Sequence, residues 1–166
     1  MATITLQGNE IHTNGDLPAI GSKAPDFQLV DKDLNNVDLA EYVGKKKLIN
    51  IVPSLDTPVC ATSAKKFNGF AADRNDVVVL TVAADLPFAM SRFCTSENIE
   101  NVVTLSMMRS KNFATDYGVL IEDGPLAGIT ARAVVVLDAD NDVIYTQLVS
   151  EIAEEPDYDA ALKALD

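Results

Sequence analysis

The sequence predicts an α/β fold: a mixed central sheet flanked by helices, with a β-hairpin at the N-terminus. Three observations predict it. Two β-branched, apolar runs, Leu48 to Val52 and Asp76 to Val82, have the continuous pattern of strands buried on both faces. Each is followed by a stretch of helical period, Cys60 to Ala72 and then a segment opened by Asp85 and Pro87. Short alternating runs separated by turn residues stand at both ends of the chain. Central strands alternating with helices give a sandwich of this class. The length, 166 residues, is that of one domain, and we expect a single unit over 1–166. No repeat, low-complexity segment or linker divides it.

Taken in order, Thr3 to Leu6 and Glu10 to Thr13 alternate around Gly8-Asn9 and form the hairpin. Asn14 to Pro25 is loop. Phe27 to Val30 and Val37 to Leu39 are short strands, and Ala40 to Gly44 is one helical turn. Lys47 to Val52 is a central strand, and Cys60 to Ala72 is the helix after it. Cys60, Ala64, Phe67 and Ala71 share one face of that helix, with Lys65 and Lys66 outside. After Asp76 to Val82, the next helix runs towards Cys94. Asn101 to Leu105 is a strand, and Lys111 to Tyr117 is a helix stopped by Gly118. Val119 to Ile129 is irregular. Ala133 to Leu137 and Val143 to Gln147 make an antiparallel hairpin. Tyr158 to Leu165 is the last helix.

Composition narrows the function. The chain is 48% hydrophobic, enough for a full core, and its formal charge is −12. That charge disfavours nucleic acid and anionic membrane surfaces as partners. No apolar stretch approaches a membrane span, and the N-terminus lacks a basic region followed by an apolar one. We expect an unprocessed cytoplasmic protein. Two cysteines, Cys60 and Cys94, do not make a disulfide scaffold, and no C-x-x-C occurs. With one histidine, His12, they are too few and too scattered for a zinc site. His12 alternates with Ile11 and is expected to face solvent. Met107 and Met108 are expected to fill the core.

The chemistry concentrates in Pro53-Ser-Leu-Asp-Thr-Pro-Val-Cys60, between a buried strand and a helix. Thr57 is an N-cap residue type, and Pro58 suits the first helical position. Cys60 then falls at the third position, where its backbone N–H has no partner inside the helix. Orphan N–H groups and the positive end of the helix dipole favour thiolate over thiol. A fixed cation completes such an anion site. Of the four arginines, Arg74, Arg92, Arg109 and Arg132, Arg132 stands at the entry to the strand Ala133 to Leu137, within reach of the sheet end beside the Cys60 helix. Its guanidinium holds charge at any working pH and can bind two oxygens. Arg92, two residues from Cys94, is expected to tune that cysteine or face a partner, and Arg109 has no assigned role.

Pro53-x-x-x-Thr57-x-x-Cys60 resembles the active-site signature of peroxiredoxins. The longer string to Cys60, Asp85-Leu-Pro-Phe-Ala-Met-Ser-Arg-Phe-Cys94, and Gly124-Pro-Leu-Ala-Gly-Ile-Thr-Ala-Arg-Ala-Val-Val-Val136 are similar to the thiol peroxidase branch of that family. The likeness runs from the N-terminal hairpin to Glu155-Pro-Asp-Tyr158. It implies a thioredoxin-like fold and reduction of hydrogen peroxide and organic hydroperoxides. It assigns Cys60 as the peroxidatic residue, Cys94 as the resolving residue in an intrachain disulfide, and Arg132 as the active-site arginine. Thr57 supplies a hydroxyl, and Pro53 shields the pocket and sets the loop. The resemblance further implies thioredoxin as reductant, a homodimer, and no metal, flavin or heme. The apolar segment Phe88, Met90 and Phe93 is a candidate lining for an organic substrate. Two other classes compete: a redox-sensing or chaperone-like switch using the same disulfide, and a thiol–disulfide oxidoreductase on protein substrates. The missing C-x-x-C counts against the latter; Thr57 and Arg132 count against a pure switch.

Overall fold

The alternation folds into two sheets and four helices, described for Met1–Asp166 by a computed structural model. The N-terminal hairpin pairs β1 (Thr3–Leu6) with β2 (Asn9–His12). Its turn is Gln7-Gly8, not Gly8-Asn9: Leu6 pairs with Asn9, and Gln7 and Gly8 have φ of 51° and 81°. A two-residue hairpin turn of this kind needs left-handed backbone at both positions, which moves Asn9 into the strand.

The main sheet comprises β3 (Leu29–Val30), β4 (Asn36–Val37), β5 (Lys46–Ile51), β6 (Val77–Ala83), β7 (Val102–Ser106), β8 (Ala133–Leu137) and β9 (Val143–Leu148). Their order across the sheet is β4-β3-β7-β6-β5-β8-β9. β5, β6 and β7 run parallel, while β3, β8 and β9 are antiparallel to their neighbours, so the sheet is mixed as expected. Helices α1 (Pro58–Ala71), α2 (Pro87–Ser96) and α3 (Asn112–Asp116) follow β5, β6 and β7, and α4 (Tyr158–Lys163) comes last. No helix is long and apolar enough to cross a membrane.

Two element boundaries and two side chains differ from expectation. Leu39 belongs to a 3-10 turn, Leu39–Tyr42, because the Asp38 carboxylate accepts the Ala40 N–H at 2.9 Å and starts a helical turn where a strand was expected. α4 ends at Lys163, although Leu165 remains buried. His12 does not simply face solvent. The loop around Asp123 crosses β2, so that the His12 N–H donates to Asp123 Oδ1 and its ring Nδ1 lies 2.7 Å from Oδ2. Met107 is buried as expected, but Met108 is 37% exposed.

The two-residue period of the strands divides the core. Ile49, Ile51, Ala133, Val135 and Leu137 join a cluster with Ile4 and Ile11 of the hairpin and Phe113 of α3. Leu48, Val134 and Val136 face the other way, against Phe67 and Ala71 of α1 and Ala161 of α4. A third cluster of Val52, Leu55, Cys60, Ala64, Ala83, Met90 and Ile99 lies where β5 and β6 end and joins α1 to α2. It is this end of the sheet that positions the cysteines.

Candidate active site

α1 begins as the sequence predicts, with Thr57 in extended N-cap geometry and Pro58 in the first turn. The Thr57 hydroxyl, however, does not cap the helix. It donates to the Ser54 carbonyl at 3.1 Å, which leaves its oxygen lone pairs open to another donor. The Cys60 N–H consequently has no acceptor in the protein, and it stands at the positive end of a 14-residue helix. The Cys60 side chain is fully buried among Val52, Leu55, Ala64 and Met90. Pro53 is also buried, at the start of the loop that carries Thr57.

Strand register brings Arg132 to the same place. Ile51 pairs with Ala133 in antiparallel β5–β8, so Arg132 stands across from Val52, one residue before Pro53. Alternation then puts Arg132 on the face of Val134 and Val136, which is the α1 face. Only 2% of Arg132 is exposed. Its Nε donates to the Ile152 carbonyl at 2.9 Å, and its buried Nη1 has no partner within the protein. A buried guanidinium N–H without an acceptor is uncommon. Tyr158 of α4 stands on the same face, its ring edge-on to Phe67 of α1 with centres 5.3 Å apart. Burial, and then a 2.8 Å hydrogen bond to Glu155, pushes the Tyr158 phenol up. That hydrogen bond, aided by Lys66 and Arg132, holds the Glu155 carboxyl down. The Lys66 ammonium lies over the Tyr158 ring, 4.4 Å from its centre.

Cys94 lies near the end of α2 and packs, half-buried, against the cluster that encloses Cys60. Both thiols are free. Burial pushes the Cys94 thiol up, with the charge of Lys32 partly opposing it. Cys94 opens on a cleft of about 640 Å³ that also exposes Lys32, Tyr42 and Ser91. A separate cleft of about 820 Å³ runs between α1 and α2, with Ser54, Thr57 and Pro58 on one wall and Leu86, Arg92 and Phe93 on the other. Met90 is turned into the core and Phe88 outward, so only Phe93 of the expected apolar segment lines that cleft.

The structure therefore gathers Pro53, Thr57, Cys60 and Arg132 at one end of the sheet, with Cys94 on the neighbouring helix. Arg92 is exposed on the cleft without an ion-pair partner. Arg109 instead ties the β3–β4 turn, donating to Asn36 Oδ1 at 2.6 Å and to the Leu34 carbonyl at 3.1 Å. No group of three His, Cys, Asp or Glu side chains is placed to hold a metal ion. Two supports of the site were not among the expected residues. The buried Thr130 hydroxyl donates to the Val52 carbonyl at 3.0 Å and fixes the end of β5. Asp85, expected only to open a helix, accepts the Leu55 N–H at 2.7 Å. Thr130 lies inside the block ending at Val136, but nothing in its spacing reveals a partner 78 residues away.

Fold and site together define a thioredoxin-like protein with one buried thiol at a helix N-terminus. The redoxin family model matches residues 19–162. The chain is 54% identical over 165 residues to a thiol peroxidase of Mycobacterium tuberculosis (strain ATCC 25618 / H37Rv), covering 99% of each. A peroxiredoxin-like protein from Aquifex aeolicus superposes with a TM-score of 0.92 at 44% identity, covering 99% of this chain and 96% of that one. A thiol peroxidase from Chromobacterium violaceum superposes with a TM-score of 0.91 at 26% identity and the same coverage. The chain belongs to the redoxin family, among the peroxiredoxins of the thiol peroxidase type.

Proposed function

We propose that this chain is a thioredoxin-dependent peroxidase for hydrogen peroxide and organic hydroperoxides, working as a single domain over 1–166 in a cytoplasmic homodimer. One observation carries the reading: α1, which holds the Cys60 thiol beside its own unpaired N–H, packs on the sheet face of a buried Arg132 whose Nη1 has no acceptor. A peroxide brings two adjacent oxygens that suit these donors and the Thr57 hydroxyl.

The Cys60 thiolate attacks one peroxide oxygen. An S–O bond forms, the O–O bond breaks, and the other oxygen leaves as alkoxide or hydroxide and is protonated. The guanidinium and N–H groups stabilise the charge that develops on the oxygens. Cys60 is now a sulfenic acid, and the Cys94 thiol displaces water from it to form the Cys60–Cys94 disulfide. The dithiol of thioredoxin takes over that disulfide and returns both thiols. No step needs a metal, flavin or heme.

The burial that raises the Cys94 thiol fits this order of events. A resolving thiol that stays protonated in the reduced protein does not compete with Cys60 for peroxide. The experiment is peroxide-dependent NADPH consumption with thioredoxin and thioredoxin reductase. Sustained turnover supports the peroxidase reading. A protein that forms the disulfide once and is not recycled acts instead as a redox switch.

A further inference from the structure

Outside α1, one hydrogen bond ties the loop that holds Pro53 and Thr57 to the rest of the chain. Asp56 N–H and Thr57 Oγ1 bond only to Ser54, within the loop. The Leu55 N–H reaches out, to Asp85 Oδ2 at 2.7 Å. β5 and β6 are parallel neighbours, with Ile51 opposite Val82, so the loops that follow them leave the same sheet end side by side. Asp85 is half-buried in the second of these loops, two residues before α2.

Asp85 is itself fixed to the sheet. Its backbone carbonyl accepts the hydroxyl of Ser106, the fully buried last residue of β7. The Ser106 oxygen in turn accepts the Met108 N–H at 3.0 Å. The anchor thus passes from β7 through Ser106 and Asp85 to Leu55. Leu55 is 2% exposed, and its side chain packs in the cluster that encloses Cys60. None of these bonds involves a residue of α2, which carries Cys94.

We infer that Asp85 is a positioning residue for the peroxide reaction. It fastens the 53–57 loop to the sheet by hydrogen bonds that do not pass through α2, so that Pro53 and Thr57 keep their places while α2 opens to deliver Cys94. The inference rests on the peroxidase reading above. What the loop needs from Asp85 is an acceptor at the right distance rather than a charge. Asparagine can supply that acceptor and alanine cannot.

The test compares wild type, Asp85→Asn and Asp85→Ala as full-length reduced proteins. The first readout is the second-order rate of Cys60 with hydrogen peroxide, measured by competition against a reference peroxidase. Asp85→Ala is expected to lose about 10- to 100-fold, the scale set by misplacing a reacting group by roughly an ångström. Asp85→Asn should stay within about threefold of wild type, since an isosteric acceptor keeps the bond. A folded Asp85→Ala with an unchanged rate, or an Asp85→Asn as slow as Asp85→Ala, overturns the inference. The second readout needs no variant. In wild type, the Leu55 amide should keep its hydrogen-exchange protection on oxidation while residues 90–96 lose theirs. Loss of Leu55 protection overturns the inference even if Asp85→Ala does not fold. A wild-type Cys60 that does not react with peroxide overturns the peroxidase reading instead.

Discussion

Cys60 in the first turn of α1 and Cys94 near the end of α2 pack on one buried cluster, yet both remain free thiols. Each is held by regular helix, and a disulfide needs Cα atoms within roughly 4.4–6.8 Å with facing Cβ atoms. We predict that the two helix segments open when the cysteines join. On oxidation, hydrogen-exchange protection should fall in residues 58–63 and 90–96 and hold in β5 and β6. Equal protection in both redox states at both segments contradicts the two-state account.

Removing the two sulfurs should have unequal effects. Cys60→Ser should abolish peroxide reduction, because a hydroxyl is a far poorer nucleophile at neutral pH. Cys94→Ser should consume about one equivalent of peroxide per chain and stop, leaving Cys60 oxidised. Continued thioredoxin-linked turnover by Cys94→Ser removes Cys94 from the resolving role.

Arg132→Met keeps much of the buried side-chain volume and deletes the charge. The rate with peroxide at pH 7 should fall by roughly 10- to 1000-fold, the span one nearby opposite charge produces. Alkylation of Cys60 by iodoacetamide should slow as well. A variant that alkylates and reduces peroxide at the wild-type rate places the essential cation elsewhere, with Arg92 the next to test.

The fold was largely legible in the sequence because its signals are local. The runs Leu48 to Val52 and Asp76 to Val82 announce β5 and β6 by composition, and Thr57-Pro58 marks the start of α1 within the chain itself. The placement of Cys60 follows from that start alone. What stayed hidden is each polar side chain's choice of partner, near or far along the chain. The Thr57 hydroxyl turns to Ser54 instead of the helix, Asp123 claims His12, and Thr130 supports Val52. None of these choices leaves a periodic trace. Arg109 was unassigned for the same reason, since its partners are the side chain of Asn36 and a backbone carbonyl.

Thr130→Val replaces a buried hydroxyl by a methyl group of similar shape. It leaves the Val52 carbonyl without its side-chain donor at the end of β5. The expected loss is about 1–3 kcal/mol, read from urea denaturation. Unchanged stability means that the hydroxyl contributes nothing to fixing the strand end.

Acid should expose a surface contact far from the site. Arg74 forks onto Asp76 at 2.8 and 2.9 Å and holds that carboxyl down at about 2, from an ordinary 3.8. The folded group is the stronger acid, so its stabilisation is present above the ordinary value and lost as pH falls towards about 2. The Tm difference between wild type and Asp76→Asn should be visible at pH 5 and shrink as pH falls through about 2. A gap that widens on acidification contradicts the sign.

We propose that Cys60 takes the peroxide oxygen and Cys94 of the same chain resolves it. The most direct measurement is a peptide mass map of reduced protein after one equivalent of hydrogen peroxide, quenched by alkylation. The peptides containing Cys60 and Cys94 should be joined within monomer-sized chains, and Cys94→Ser should carry its added oxygen on Cys60 alone. Oxygen or label distributed equally over both cysteines, or a disulfide between two Cys60 residues, would contradict the proposal.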